Sequence, residues 1–219
     1  MRIYHQSIIL GLCACFLTSV ASRVIHLLPQ LANITPSQTP VSFIPNAADN
    51  SSNPWWIKED RDKLIQLGFP VQDTDLRQLT GPALLNRLSL SKLIFVAGGN
   101  TFYLLQKFHD SGLFENISTL LDRGIIYIGS SAGSVLAGPD ISPARTQDDP
   151  SQAPNLKSYS GLNLVNFSVI PHFGTPEDKP EYMKTFADIY EMPYPFITLT
   201  NSQAVWVEDG KFQLFDTGK

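Results

Sequence analysis

The chain has 219 residues, 43% of them hydrophobic, and a formal net charge of −4 from 20 acidic and 16 basic side chains. It has apolar content enough for one sizeable core and lacks the low hydrophobicity and high charge of disordered chains, so a single globular domain over residues 1–219 is expected. The absence of a Lys/Arg cluster argues against a nucleic-acid partner, and two cysteines, Cys13 and Cys15, are too close for an ordinary disulfide and too few for a structural zinc site.

Arg2, the apolar run 8–17 and the small residues Ser19 and Ala21 imitate a secretory signal peptide with its cleavage site. The same run, taken as 8–18, also reads as the first buried strand of a parallel sheet. The strand is preferred because a helix at 24–28 follows and would otherwise have no strand before it. A cytoplasmic location goes with that reading, a secreted one with residues 1–21 as a signal, and no membrane partner is expected with either.

A second strand at 41–45 is closed by Pro45, and a helix at 56–67 is ended by Gly68. An extended piece starts at Val71, a short helix covers 84–90, and a buried strand at 93–97 runs into Gly98-Gly99-Asn100. Helices at 102–108 and 113–121 precede a strand at 125–128 that stops at Gly129. Residues 139–160 are polar, with prolines at 139, 143, 150 and 154 and the pair Asp148-Asp149, and read as a long surface loop. A strand at 164–170 delivers Pro171-His172-Phe173. A helix at 182–190, a strand at 197–200 and a hairpin of 204–207 with 212–215 around Asp209-Gly210 complete the chain. Strands alternating with helices point to a doubly wound α/β fold with a mainly parallel sheet flanked by helices.

Ligands of such sheets sit beyond the carboxyl ends of the strands. Gly129-Ser130-Ser131-Ala132-Gly133 fits G-x-S-x-G in the context that gives the pattern meaning, an apolar strand before it and a helix-capable run, 134–137, after it. Its glycines leave space for a sharp turn that lifts Ser131 out of the sheet as a nucleophile, with the Ala132 amide and the positive helix end facing a substrate carbonyl. A tight glycine turn with two serines capping the helix is the plainer alternative. A serine hydroxyl needs a base. Of four histidines, His5 lies near the terminus, His26 and His109 lie in helical patterns, and His172 alone ends a buried strand, although a core histidine bonded to backbone would also fit there. Gly98-Gly99-Asn100-Thr101 offers a second oxyanion donor, or merely a turn before a helix.

Phe16-Leu17-Thr18-Ser19, Phe43-Ile44-Pro45-Asn46-Ala47-Ala48, Gly98-Gly99-Asn100-Thr101-Phe102, Gly129-Ser130-Ser131-Ala132-Gly133-Ser134 and Pro171-His172-Phe173 together resemble the dipeptidase E and cyanophycinase family of serine peptidases. They occur in that family's order and cover nearly the whole chain. The resemblance implies a fold related to class I glutamine amidotransferases, with serine in place of the cysteine nucleophile, and neither metal nor organic cofactor. It makes Ser131 the nucleophile, His172 the base, and the amides of Gly99 and Ala132 the oxyanion hole, with Gly98 and Asn100 against the substrate. The substrate it implies is a small peptide, and the enzyme is expected as a monomer or homodimer.

The third catalytic member departs from the family. A carboxylate is expected after the last core strand, where this chain has Leu199-Thr200-Asn201-Ser202-Gln203-Ala204 and so offers Asn201. An amide oxygen orients an imidazole but stabilises the imidazolium less. Asp148 resembles another acidic position of the family and is the alternative, as is a solvated loop charge at that place. Aspartyl dipeptidases of the family carry basic residues after the histidine motif. Here Gly174-Thr175-Pro176-Glu177-Asp178-Lys179 is mostly acidic, so an N-terminal aspartate substrate is not supported; Lys179 and Lys184 are the candidate basic contacts. Hydrolysis of a small peptide or related amide is the leading reading, beside an esterase or amidase and a non-catalytic binding module that kept the pocket.

Overall fold

Short, mostly apolar runs become strands buried on both faces, and the fully buried four-residue runs 15–18, 41–44 and 93–96 build the centre of this molecule. The computed structural model describes residues 13–174 and 179–218. Its elements in chain order are β1 (Cys15–Thr18), α1 (Ala21–Val24), α2 (Leu28–Leu31), β2 (Val41–Ile44), α3 (Trp55–Gln66), β3 (Val71–Asp73), α4 (Gly81–Ser89), β4 (Leu93–Val96), α5 (Thr101–Ser111), α6 (Ile117–Leu121), β5 (Ile126–Ser130), α7 (Ala132–Leu136), β6 (Ser168–Ile170), α8 (Lys179–Ile189), β7 (Phe196–Thr198), β8 (Gln203–Glu208) and β9 (Lys211–Asp216). Seven strands form one sheet in the order β3-β2-β4-β5-β1-β8-β9. The first five are parallel, and β8 and β9 add antiparallel pairings at one edge.

Alternation along each strand divides the core between the two faces. Leu17, Ile94, Val96 and Tyr127 pack with Phe102 and Phe108 of α5 and Leu136 of α7. Phe16, Phe43, Phe95 and Ile128 pack on the other side with Val24 and with Leu64 of α3. The result is the mainly parallel α/β sheet flanked by helices that the alternation of elements foretells. Asp209 and Gly210 both take positive φ in a two-residue turn between β8 and β9, as the hairpin requires.

Four segments differ from their sequence reading. The strand within 8–18 is Cys15–Thr18; residues 1–12 lie outside the described residues. Because β1 sits between β5 and β8, cleavage behind Ala21 would delete an interior strand. The helix at 24–28 is broken into α1, a 3-10 turn at Ile25–Leu27 and α2, whose first turn takes Pro29, a residue without an N–H to donate. Of the strand at 164–170, only Ser168–Ile170 pairs, and it pairs with β7 in a separate two-stranded parallel sheet. The preceding amides of Leu162, Leu164 and Val165 instead satisfy the carbonyls of Leu136 and Ala137, the orphan acceptors at the end of α7. Finally, residues 139–160 are no loose surface loop. They form two 3-10 turns, Ser142–Thr146 and Pro150–Gln152, are closed by an Asp140–Ser160 bridge, and bury Ile141, Pro143, Ala144 and Ala153. Among the described residues no helix is long and apolar enough to cross a membrane.

Candidate active site

The turn after β5 is dictated by space. A Cβ on Gly129 would lie 2.6 Å from the Gly133 carbonyl carbon, and one on Gly133 only 2.1 Å from the Val96 carbonyl oxygen. Only glycines let α7 fold back so tightly over β4 and β5. The turn leaves Ser131 at φ 50, ψ −109. His172, after β6, stands at φ 62. The other non-glycine residues at positive φ among those described are Asn33, Asn163 and Asp209, types that tolerate it. Histidine shares that tolerance in part, so the backbone strain falls chiefly on Ser131, and such strain clusters at functional sites.

The two side chains meet. Ser131 Oγ lies 2.8 Å from His172 Nε2, and His172 Nδ1 lies 2.8 Å from Asn201 Oδ1. An amide oxygen only accepts, so Nδ1 carries the hydrogen and Nε2 offers a lone pair to the serine hydroxyl. Ser19, just past β1, completes the arrangement: its Oγ accepts from the His172 backbone N–H at 2.8 Å and donates to Asn201 Oδ1 at 2.9 Å. Sequence reasoning had Ser19 only as part of a motif, because nothing local signals that a hydroxyl 153 residues from the histidine supports it.

The second carboxylate candidate sits elsewhere. Asp148 Oδ2 accepts from the Thr101 N–H at 2.9 Å and from its hydroxyl at 2.5 Å, at the start of α5. Burial raises its pKa, while the Thr101 bonds and the charge of His172 oppose the rise. Asp148 is thus within electrostatic reach of the imidazole, whereas Asn201 is the group bonded to Nδ1.

Gly98, Gly99 and Ala132 line the same cleft of about 760 Å³ as Ser131 and His172. A Cβ on Gly98 would come 3.1 Å from Ser131 Cβ, so the end of β4 lies directly against the serine. Gly99, at φ 145, has the Ala47 carbonyl oxygen 2.2 Å from where a Cβ would be. Asn100 also lines the cleft, but its side chain is engaged at both ends: Oδ1 caps α5 at the Tyr103 N–H, and Nδ2 donates to the Asp149 carbonyl. That leaves it tying the 139–160 segment to the helix. Lys184 and Lys179 are exposed on α8, outside the cleft lining, and residues 175–178 lie outside the described residues. His26 is exposed, His109 bonds Glu115, and His5 lies outside the described residues. Among the described residues no cluster of three His, Cys, Asp or Glu side chains is placed to hold a metal ion.

One further group was missed. Asp60, in the polar-looking α3, is 3% exposed and lines the cleft. It accepts from the Ser22 N–H at 2.8 Å, it lines the cleft together with Ser130 and Ser131, and burial pushes its carboxyl up to about 7. A helix whose sequence reads Lys-Glu-Asp-Arg-Asp gives no sign of which acid faces inward.

The family model of peptidase family S51 matches residues 15–215. An uncharacterized peptidase of Pasteurella multocida (strain Pm70) is 31% identical over 169 residues, 77% of this chain and 81% of the relative. Peptidase E of Salmonella arizonae is 34% identical over 148 residues, 68% of this chain and 61% of its own length. A crystal structure of a Listeria monocytogenes EGD-e protein assigned to peptidase E superposes with a TM-score of 0.84 at 27% identity, covering 94% of this chain and 99% of that one.

Proposed function

The chain belongs to peptidase family S51, and from that premise we propose that it hydrolyses a small peptide or related amide through an acyl-enzyme on Ser131. The observation that carries the reading is the 2.8 Å contact between Ser131 Oγ and His172 Nε2, with the imidazole held from behind by Asn201 and Ser19. Ser131 Oγ attacks the scissile carbonyl carbon while its proton passes to Nε2. The oxyanion that forms is received by the amides of Gly99 and Ala132. The imidazolium then gives its proton to the departing amine as the C–N bond breaks. Water, losing a proton to Nε2, attacks the acyl carbon, and as the ester C–O bond breaks Nε2 returns that proton to Ser131 Oγ, releasing the acid and the free serine. Asn201 holds the tautomer, and the carboxylate of Asp148 favours the imidazolium through space. We assign the enzyme to the cytoplasm as a monomer or homodimer that cleaves dipeptides or takes single residues from the ends of short peptides.

The amide at 201 favours a second reading, a binding module that kept the pocket without turnover. A fluorophosphonate probe separates the two: labelling of the intact protein that disappears in Ser131→Ala supports the hydrolase, and no labelling of the intact protein supports the binding module. Release of amino acids from a dipeptide panel then tests the substrate class.

A further inference from the structure

The cleft beside Ser131 is lined by four carboxylates, Glu59, Asp60, Asp148 and Asp149, and by no described lysine or arginine. Asp148 is engaged by Thr101 and Asp149 by Ser151, which leaves the pair on α3. Asp60 is buried and enters no ion pair among the described residues. A buried carboxylate without a cation is costly, and its raised pKa expresses that cost. Ser22, whose N–H bonds Asp60, lines the same cleft; it is 7% exposed and its Oγ has no hydrogen-bond partner. Buried hydroxyls are ordinarily satisfied, so this one points to a missing donor or acceptor. At the mouth stand exposed Glu59 and Trp55, 61% exposed, set edge-on to Trp56 with ring centroids 5.9 Å apart.

We propose that the corner formed by Asp60 and Ser22, with Glu59 and Trp55 at its mouth, is the subsite for a positively charged group on the acyl side of the peptide, its α-ammonium or a basic side chain. This rests on the peptidase reading and adds the charge class of the substrate. An ammonium supplies donors for Asp60 and, with the Ser22 side chain turned toward the cleft, for its sealed and orphan Oγ as well, and a ring face beside it attracts the same charge. Asp60 lines the same cleft as Ser130 and Ser131, so a cation held there shares the cleft with the reacting bond. An acidic side chain would meet four carboxylates and no described Lys or Arg, and would be repelled.

Binding to the Ser131→Ala protein, measured by calorimetry, tests the idea independently of turnover. Probe labelling and dipeptide hydrolysis by the intact protein judge the peptidase reading separately. The ligands are Lys-Ala, norleucyl-Ala, their N-acetyl forms, and Asp-Ala. Lys-Ala is expected to bind about ten-fold or more tightly over Asp-Ala, and an added Asp60→Asn to remove about ten- to a hundred-fold of the cation's affinity. Loss on N-acetylation identifies the α-ammonium as the held group; loss on replacing lysine by norleucine identifies the side chain. Ser22→Ala, which leaves every charge in place, is expected to lose about three- to ten-fold for the same ligand. Asp-Ala binding as tightly as Lys-Ala, or selectivity that survives both Asp60→Asn and Ser22→Ala, overturns the proposal.

Discussion

The serine side and the histidine side of the cleft are built differently. Ser131 follows β5, an interior strand of the seven-stranded sheet, and is flanked by glycines whose neighbours leave no space for a side chain. His172 follows β6, which has three residues and pairs with the half-buried β7; Val169 of β6 joins the main core cluster with Leu136 and Phe167, while Ile170 rests on a small cluster with Tyr182 and Ile189. Ser131 is therefore positioned from within the main sheet, and His172 from a short second sheet that packs on the same core and from its bond to Ser19, just past β1. Because local stability follows buried contacts, the three-residue pairing of the second sheet is expected to open at lower free energy than the interior strands of the first.

Four measurements would break or sharpen that contrast. The largest effect is expected from Ser131→Gly: hydrolysis falls by at least about a thousand-fold, while relief of the positive φ keeps stability unchanged or raises it by up to about 1 kcal/mol. Turnover of a dipeptide together with a urea midpoint reads both, and surviving turnover would sink Ser131 as nucleophile.

Glycine substitutions compare the sides directly. Gly133→Ala drives a Cβ to 2.1 Å from the Val96 carbonyl and is expected to cost about 3 kcal/mol or more. Gly174→Ala, at φ 94 but with only Thr200 Cγ2 at 3.8 Å, should cost about 1 kcal/mol. Equal costs in denaturant unfolding would contradict the difference in packing.

Asn201→Asp is expected to raise kcat/KM about ten-fold, since the tautomer is already set and the carboxylate adds only charge. The acid limb of the pH profile should move upward, because a carboxylate favours the protonated imidazole. No gain, or a downward shift, would mean that Asp148 already supplies the negative charge.

The last measurement concerns Asp60, behind the serine, and reads stability against pH rather than turnover. Its folded pKa of about 7 exceeds the ordinary 3.8, so the folded chain holds a proton that the unfolded chain gives up. Stability should be full below about pH 4 and fall through about pH 7, by up to about 1.4 kcal/mol per pH unit. Asp60→Asn should flatten that slope; a slope unchanged in the variant would assign it to other groups.

Much of this was legible because the signals were local. The run 93–96 is a continuous apolar strand and 41–44 is one but for Ser42, Gly68 and Asp209-Gly210 are turn chemistry, and the glycines around Ser131 announce a tight turn before any packing is known. His172 stood out by elimination among four histidines, and Asn201 by its place in the family pattern that the chain resembles. The failures were nonlocal. The apolar segment before Ser168 looks like a strand, yet its amides found the end of α7. The prolines and acids of 139–160 looked solvated, yet their few apolar residues are buried and Asp148 is drawn in by Thr101.

The residues at the cleft thus divide by the range of the forces that place them. The sequence by itself determined the α/β alternation, the glycine turn and the candidate pair Ser131 and His172, since periodicity, φ preference and residue chemistry act over a few neighbours. Only the tertiary structure decided that Ser19 supports the histidine, that Asn201 is bonded to Nδ1 while Asp148 is not, and that Asp60 and Ser22 face the cleft. Those outcomes depend on which distant elements exclude water together, and burial, which makes a hydrogen bond obligatory and a carboxylate hard to charge, is a property of the packed whole.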